Sequence, residues 1–228
     1  MKTCRQLLLI DIGNTHIVLG VLRDGVLCTH WRLSSNNART IDESWVMLRT
    51  LFQSAQLVLS ETQGVAISSV VPDLTFVWEK LSQHYLQIPA VLISHALKGV
   101  PEIAISETSS VGADRLCNSM AAWYYTAQPT LVIDFGTATT FDVVGAGGSF
   151  LGGLILPGLQ TAHRHLHQSA AKLPKVELRF PEHVIGDSTE TAMQSGLLNG
   201  AIAQVEGLVA MIRAELKQRG ITPEAKVI

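Results

Sequence analysis

Leu8-Leu9-Ile10-Asp11-Ile12-Gly13-Asn14-Thr15 and Leu131-Val132-Ile133-Asp134-Phe135-Gly136-Thr137 are two versions of one pattern. In each, an apolar run ends in an aspartate, with glycine at +2 and threonine at +4 or +3. The surroundings repeat too. After the first copy come a strand pattern over residues 17–21, an Asp24-Gly25 hairpin signal and a third strand over 27–33. After the second come residues 139–144, a glycine-rich turn over 145–148 and residues 150–156. Each half therefore reads strand, acidic turn, strand, hairpin, strand, helix. An internal repeat constrains a fold more than any single motif. The expectation is α/β architecture in two similar lobes, residues 1–118 and 119–228, facing each other across a cleft with one Asp-x-Gly turn from each.

Between the repeats the pattern alternates. Residues 7–10 are continuously apolar, as for a strand buried on both faces. Thr40 and Glu43 make a capping box before Trp45, Leu48, Leu51, Phe52 and Ala55 at helical spacing. Residues 65–71 read as a strand, and Pro72 opens a helix carrying Leu74, Val77, Trp78, Leu81 and Tyr85. A short strand follows over 90–93. Residues 111–126 form a helix expected to bury Leu116, Met120, Trp123 and Tyr124. A long helix over 188–219 stops at Gly220. Within it Gly196 and Gly200 permit either close helix approach or nothing more than tolerated glycines. Residues 225–228 begin a last strand.

Composition narrows the function classes. Apolar residues are 47% of 228 and charged residues 16%, against about 25% charged in an average domain. So little surface charge points to a face covered by a second copy, a homodimer. Net charge is −2 with dispersed basic residues, which excludes nucleic acid as an expected partner. Cys4, Cys28 and Cys117 are widely spaced and suit a reduced, cytoplasmic protein. The longest uncharged run, 143–162, holds six glycines and Pro157. It reads as sheet and turn, and no membrane association is expected.

Chemistry concentrates at three places. A carboxylate at a strand end, as at Asp11 and Asp134, can hold a hydrated Mg²⁺. Gly13 and Gly136 let backbone amides approach phosphate oxygens, with Thr15 and Thr137 as hydroxyl donors. Val111-Gly112-Ala113-Asp114-Arg115 opens a helix, where free amides favour anions. There Asp114 could accept a hydroxyl proton and Arg115 could grip a carboxylate; the plainer alternative is a capping aspartate beside a solvated arginine. His163, His165 and His167 lack a carboxylate or cysteine partner nearby and read as an exposed helix. The tryptophans read as core, and residues 177–182 as a surface loop.

The segments DIGNTHIVLG, ISSVVP, VGADRLCN, DFGTATTFDVV, FLGGLILPGL, AAKLP and MQSG together resemble type III pantothenate kinases over nearly the whole chain. That resemblance implies the duplicated ribonuclease-H-like fold of actin-like ATPases, with ATP in the cleft. It implies that ATP is held by Asp11, Ile12, Gly13, Asn14, Thr15, His16, Ile17 and Val18, and by Thr137. It implies pantothenate at Gly112, Ala113, Asp114 and Arg115, with Asp114 as catalytic base and Thr189 as a further substrate contact. Asp134 matches the family's site for potassium or ammonium. Three features differ from the family pattern. Ile105-Ser106-Glu107-Thr108 stands where a pocket tyrosine is usual. Gly186-Asp187-Ser188-Thr189 replaces Gly-Arg-Asn-Thr. The family continues past Lys226-Val227-Ile228 into an Ala-Thr-Gly-Gly turn and a helix, so the second lobe is expected to lack that element. Rival readings are an actin-fold sugar or acetate kinase and a non-catalytic, regulatory relative.

Overall fold

The computed structural model describes residues 5–170, 173–221 and 225–228. Lys2, Cys4 and the middle of the AAKLP segment (171 and 172) lie outside them. The chain divides into two compact units, residues 1–100 with 106–120, and residues 101–105 with 121–228.

The first unit is built on a five-stranded sheet in the order β3-β2-β1-β4-β5. β1 (Gln6–Ile12), β2 (His16–Arg23) and β3 (Val26–Ser34) form an antiparallel meander, while β4 (Thr62–Ser69) and β5 (Ala90–Leu92) run parallel to β1. A parallel return needs a crossover, which α1 (Ile41–Ser54) provides between β3 and β4, and α2 (Pro72–Leu81) between β4 and β5. The Thr40–Glu43 capping box starts α1, and Pro72 at the first helical position starts α2. Leu48 and Phe52 of α1 and Leu74, Trp78 and Leu81 of α2 close over Leu8, Ile10, Ile12, Ile17, Leu19, Val21, Val65 and Ile67.

β1 corrects one expectation. Leu8, Ile10 and Ile12 are buried, but Leu7 is 37% exposed and Leu9 only half-buried. An unbroken apolar run cannot say which side-chain set faces the core, since successive residues point to opposite faces.

The second unit repeats the first four strands. Its sheet has the order β8-β7-β6-β9, with β6 (Thr130–Phe135), β7 (Ala138–Val144) and β8 (Phe150–Pro157) antiparallel and β9 (Lys226–Val227) parallel to β6. α4 (Leu159–Ser169) follows β8, and the 30-residue α5 (Thr189–Gln218) precedes β9. By length and composition α5 is apolar enough to cross a membrane. Here one of its faces, with Val205, Leu208, Val209, Ile212 and Leu216, packs on Leu131, Phe141 and Val143 of the sheet. Ser188 caps its start, and Gly220 turns the chain away at φ +69°. A Cβ at Gly196 or Gly200 would meet nothing within 4 Å, so no close approach uses them among the described residues.

α3 (Ala113–Thr126) carries a second correction. Leu116 is buried, but Tyr124 and its neighbour Tyr125 are each 82% exposed. The third is His163, which is buried on α4 while His165 and His167 are exposed. Steps of 100° put His163 and His165 on opposite faces of α4, and the His163 side is the one turned inward. No group of three or more His, Cys, Asp or Glu side chains placed to hold a metal occurs among the described residues.

Candidate active site

In the first unit the turn between β1 and β2 is held from below. Gly13 N–H donates to His16 O at 2.9 Å, and Ser35, just past β3, donates its hydroxyl to Gly13 O and its amide to Thr15 O. Asp11, Asn14, Thr15 and His16 are exposed around this turn. Ile12 and Ile17 are core residues at 1% and 0% exposure, so only their backbone can meet a ligand.

Asp11 lies opposite Ser68 in the parallel β1–β4 register, and Ser68 Oγ donates to Asp11 Oδ1 at 2.9 Å. The chain leaves β4 through Val70, whose amide donates to Ile12 O. Val70 packs near Gly112, one residue before α3. A Cβ on Gly112 would collide with Asp114 Oδ1, so glycine is what lets this carboxylate fold back over the helix start. The same oxygen accepts from Arg115 N–H at 2.8 Å. Ala113 is buried, and Asp114 and Arg115 are half-buried.

One turn further along α3 stands Cys117. Burial pushes its thiol pKa up; a hydrogen bond from Ser68 opposes this, and the nearby charges of Asp11 and Asp114 raise it further. Within this unit, then, the ends of β1 and β4 and the start of α3 bring Asp11, Ser68, Asp114 and Cys117 to one place. The sequence reading found the two aspartates. It missed Ser35, Ser68 and Cys117, for which only the Asp-x-Gly repeat and the parallel strand that must flank it could have been a signal.

The second unit's turn has the same backbone logic and different supports. Gly136 N–H donates to Ala138 O at 2.9 Å. Thr137 O accepts from Gly158 N–H at 3.0 Å and from the Thr161 hydroxyl at 2.7 Å. Gly158 caps α4, and a Cβ there would strike Gly136 O, so α4 begins directly against the turn. Asp134 and Thr137 are exposed. Thr189 is exposed at the first helical position of α5, where Thr191 rather than Thr189 completes the capping box with Ser188.

Two related sheets, each ending its first strand in an exposed aspartate and a glycine turn, make this a duplicated ribonuclease-H-like fold of the actin-like kind. Residues 7–211 match the family model described as type III pantothenate kinase. The type III pantothenate kinase of Thermomicrobium roseum is 44% identical over 212 residues, covering 92% of this chain and 82% of that protein. The one from Bacillus cytotoxicus is 35% identical over 213 residues, covering 93% and 81%. The chain belongs to the type III pantothenate kinase family.

Proposed function

We propose that the chain phosphorylates the primary hydroxyl of pantothenate with ATP, the entry step to coenzyme A, using Asp114 as base. One observation supports the assignment of the site: Val70, whose amide donates to Ile12 O beside Asp11, packs near Gly112 at the start of the helix that carries Asp114. A nucleotide-phosphate turn and a helix start with a half-buried carboxylate thus meet within one unit. The amides of Gly112 and Ala113 and the guanidinium of Arg115 suit the substrate's carboxylate. Thr189 adds a hydroxyl to the acceptor. The hydroxyl oxygen bonds to the γ-phosphorus as that phosphorus parts from its bridging oxygen. ADP leaves, and the hydroxyl proton passes to Asp114. Positioning and charge neutralisation supply most of the rate in such transfers.

Residues 11–18 and Thr137 hold the ATP phosphates. The donor set around them is carboxylate and hydroxyl oxygen, which fits a hard divalent ion. Magnesium bound with ATP would sit on Asp11 and offset phosphate charge. Asp134 takes a monovalent cation, potassium or ammonium. The working form is a homodimer, supported by the exposed Tyr124, Tyr125, Phe135 and Ile155 of the second unit. Its location is the cytoplasm, where ATP is made and thiols such as Cys28 and Cys117 stay free.

A coupled assay of ADP release with ATP, Mg²⁺ and K⁺ tests the reaction. Release should require pantothenate and not respond to acetate or sugars. Release that ignores pantothenate would overturn the proposal. Light scattering should give about twice the 24.7 kDa chain mass; a clean monomer would remove the dimer.

A further inference from the structure

We propose that Ser68 is a positioning residue for the reaction: its hydroxyl fixes the Asp11 carboxylate in the orientation that receives the metal–phosphate end of ATP. The inference rests on the reading of Asp11 given above and adds a residue to it.

The geometry is specific. Asp11 and Ser68 are paired neighbours on parallel strands, so their side chains leave the same face of the sheet side by side. Ser68 is 8% exposed, whereas Asp11 is exposed. The serine therefore grips the carboxylate from its buried side, through Oδ1 at 2.9 Å. Each bond that holds the carboxylate in its binding orientation lowers the ordering cost on binding. A hydroxyl has one proton and two lone pairs. That proton is spent on Asp11, with Cys117 of α3 close by. Ser68 thus holds the carboxylate of β1 from the adjacent strand β4. A serine whose only task was to fill the strand would not need that bond.

The test is calorimetry of a non-hydrolysable ATP analogue over a range of Mg²⁺ concentrations, with melting curves alongside. Ser68→Ala should weaken Mg²⁺-dependent binding of the analogue about tenfold, the scale of one hydrogen bond to a charged group. Its KM for pantothenate should stay at the parent value. Ser68→Thr, which keeps the hydroxyl, should retain parent binding. Ser68→Ala added to Asp11→Asn should weaken binding no further than Asp11→Asn alone. Where the alanine variant melts too low, Ser68→Thr against Ser68→Val carries the comparison, since the pair differs only in hydroxyl against methyl. Parent-like Mg²⁺ dependence in Ser68→Ala or Ser68→Val, with the dependence lost in Asp11→Asn, would overturn the role of Ser68 and leave Asp11 in place. Parent-like behaviour of Asp11→Asn would overturn both.

Discussion

β1 of the first unit buries Leu8, Ile10 and Ile12 under two helices, and its aspartate is anchored by a serine from the adjacent parallel strand. β6, its counterpart in the second unit, buries Leu131 and Val132 but leaves Phe135 at 69% exposure beside an exposed Asp134. The first unit packs Trp78 and Phe52 completely. The second leaves Tyr124, Tyr125 and Ile155 in the open while covering its sheet with one face of α5. A duplicated strand order has therefore not produced duplicated packing. The difference comes from the crossovers: α1 and α2 both return over one sheet face, whereas the second unit has a long helix for a parallel strand of two residues. Topology fixes which strands pair, while the apolar area that the crossovers supply fixes how much of the sheet is dry.

The sharpest test of this asymmetry asks which unit holds the base. Asp114→Asn should lower kcat by about 10²–10⁴, the usual contribution of a general base, with an unchanged melting temperature. A folded variant at parent rate would remove Asp114 from the chemistry. Packing comes next. Trp78→Ala should cost about 3–5 kcal/mol in urea unfolding, and Phe135→Ser should change chain stability by less than about 0.5 kcal/mol. Equal costs would mean that the two sheets are buried alike. Third, Asp134→Asn should erase a preference for potassium over sodium, which we expect to be about tenfold in rate, or 1.4 kcal/mol. A preference that survives would move the cation elsewhere.

The smallest effect belongs to α1. Thr40→Ala should cost about 1 kcal/mol by losing the N-cap. Hydrogen bonds from the Thr40 backbone and hydroxyl hold the Glu43 carboxyl below its ordinary range. That stabilisation is present above the unfolded Glu pKa and is lost as pH falls through the lowered folded value. Melting curves between pH 6 and 3 should show this component in the parent and a smaller one in Thr40→Ala, which loses the hydroxyl but keeps the backbone N–H.

Much of this was legible in the sequence. The repeat around Asp11 and Asp134 gave the two related sheets, because strand, turn and hairpin signals are local. The Thr40–Glu43 box and Pro72 marked helix starts to the residue, since capping is satisfied within a few positions. The motif around Asp114 was visible as a helix start. What surrounds its carboxylate was not. That needed Gly112 against Val70 and Ser68 bonded to Asp11, contacts that join segments far apart in the chain.

What the sequence determined by itself is whatever depends on neighbours: strand periodicity, caps, turn glycines and the family-specific order of motifs. The tertiary structure alone decided which face of β1 is dry, that Tyr124 is exposed while His163 is buried, and that Ser68 stands beside Asp11. The physical reason is that apolarity has no direction along a chain. A run such as Leu7 to Ile10 specifies how much surface must leave water, and only the helices packed on one side of the sheet specify which surface it is.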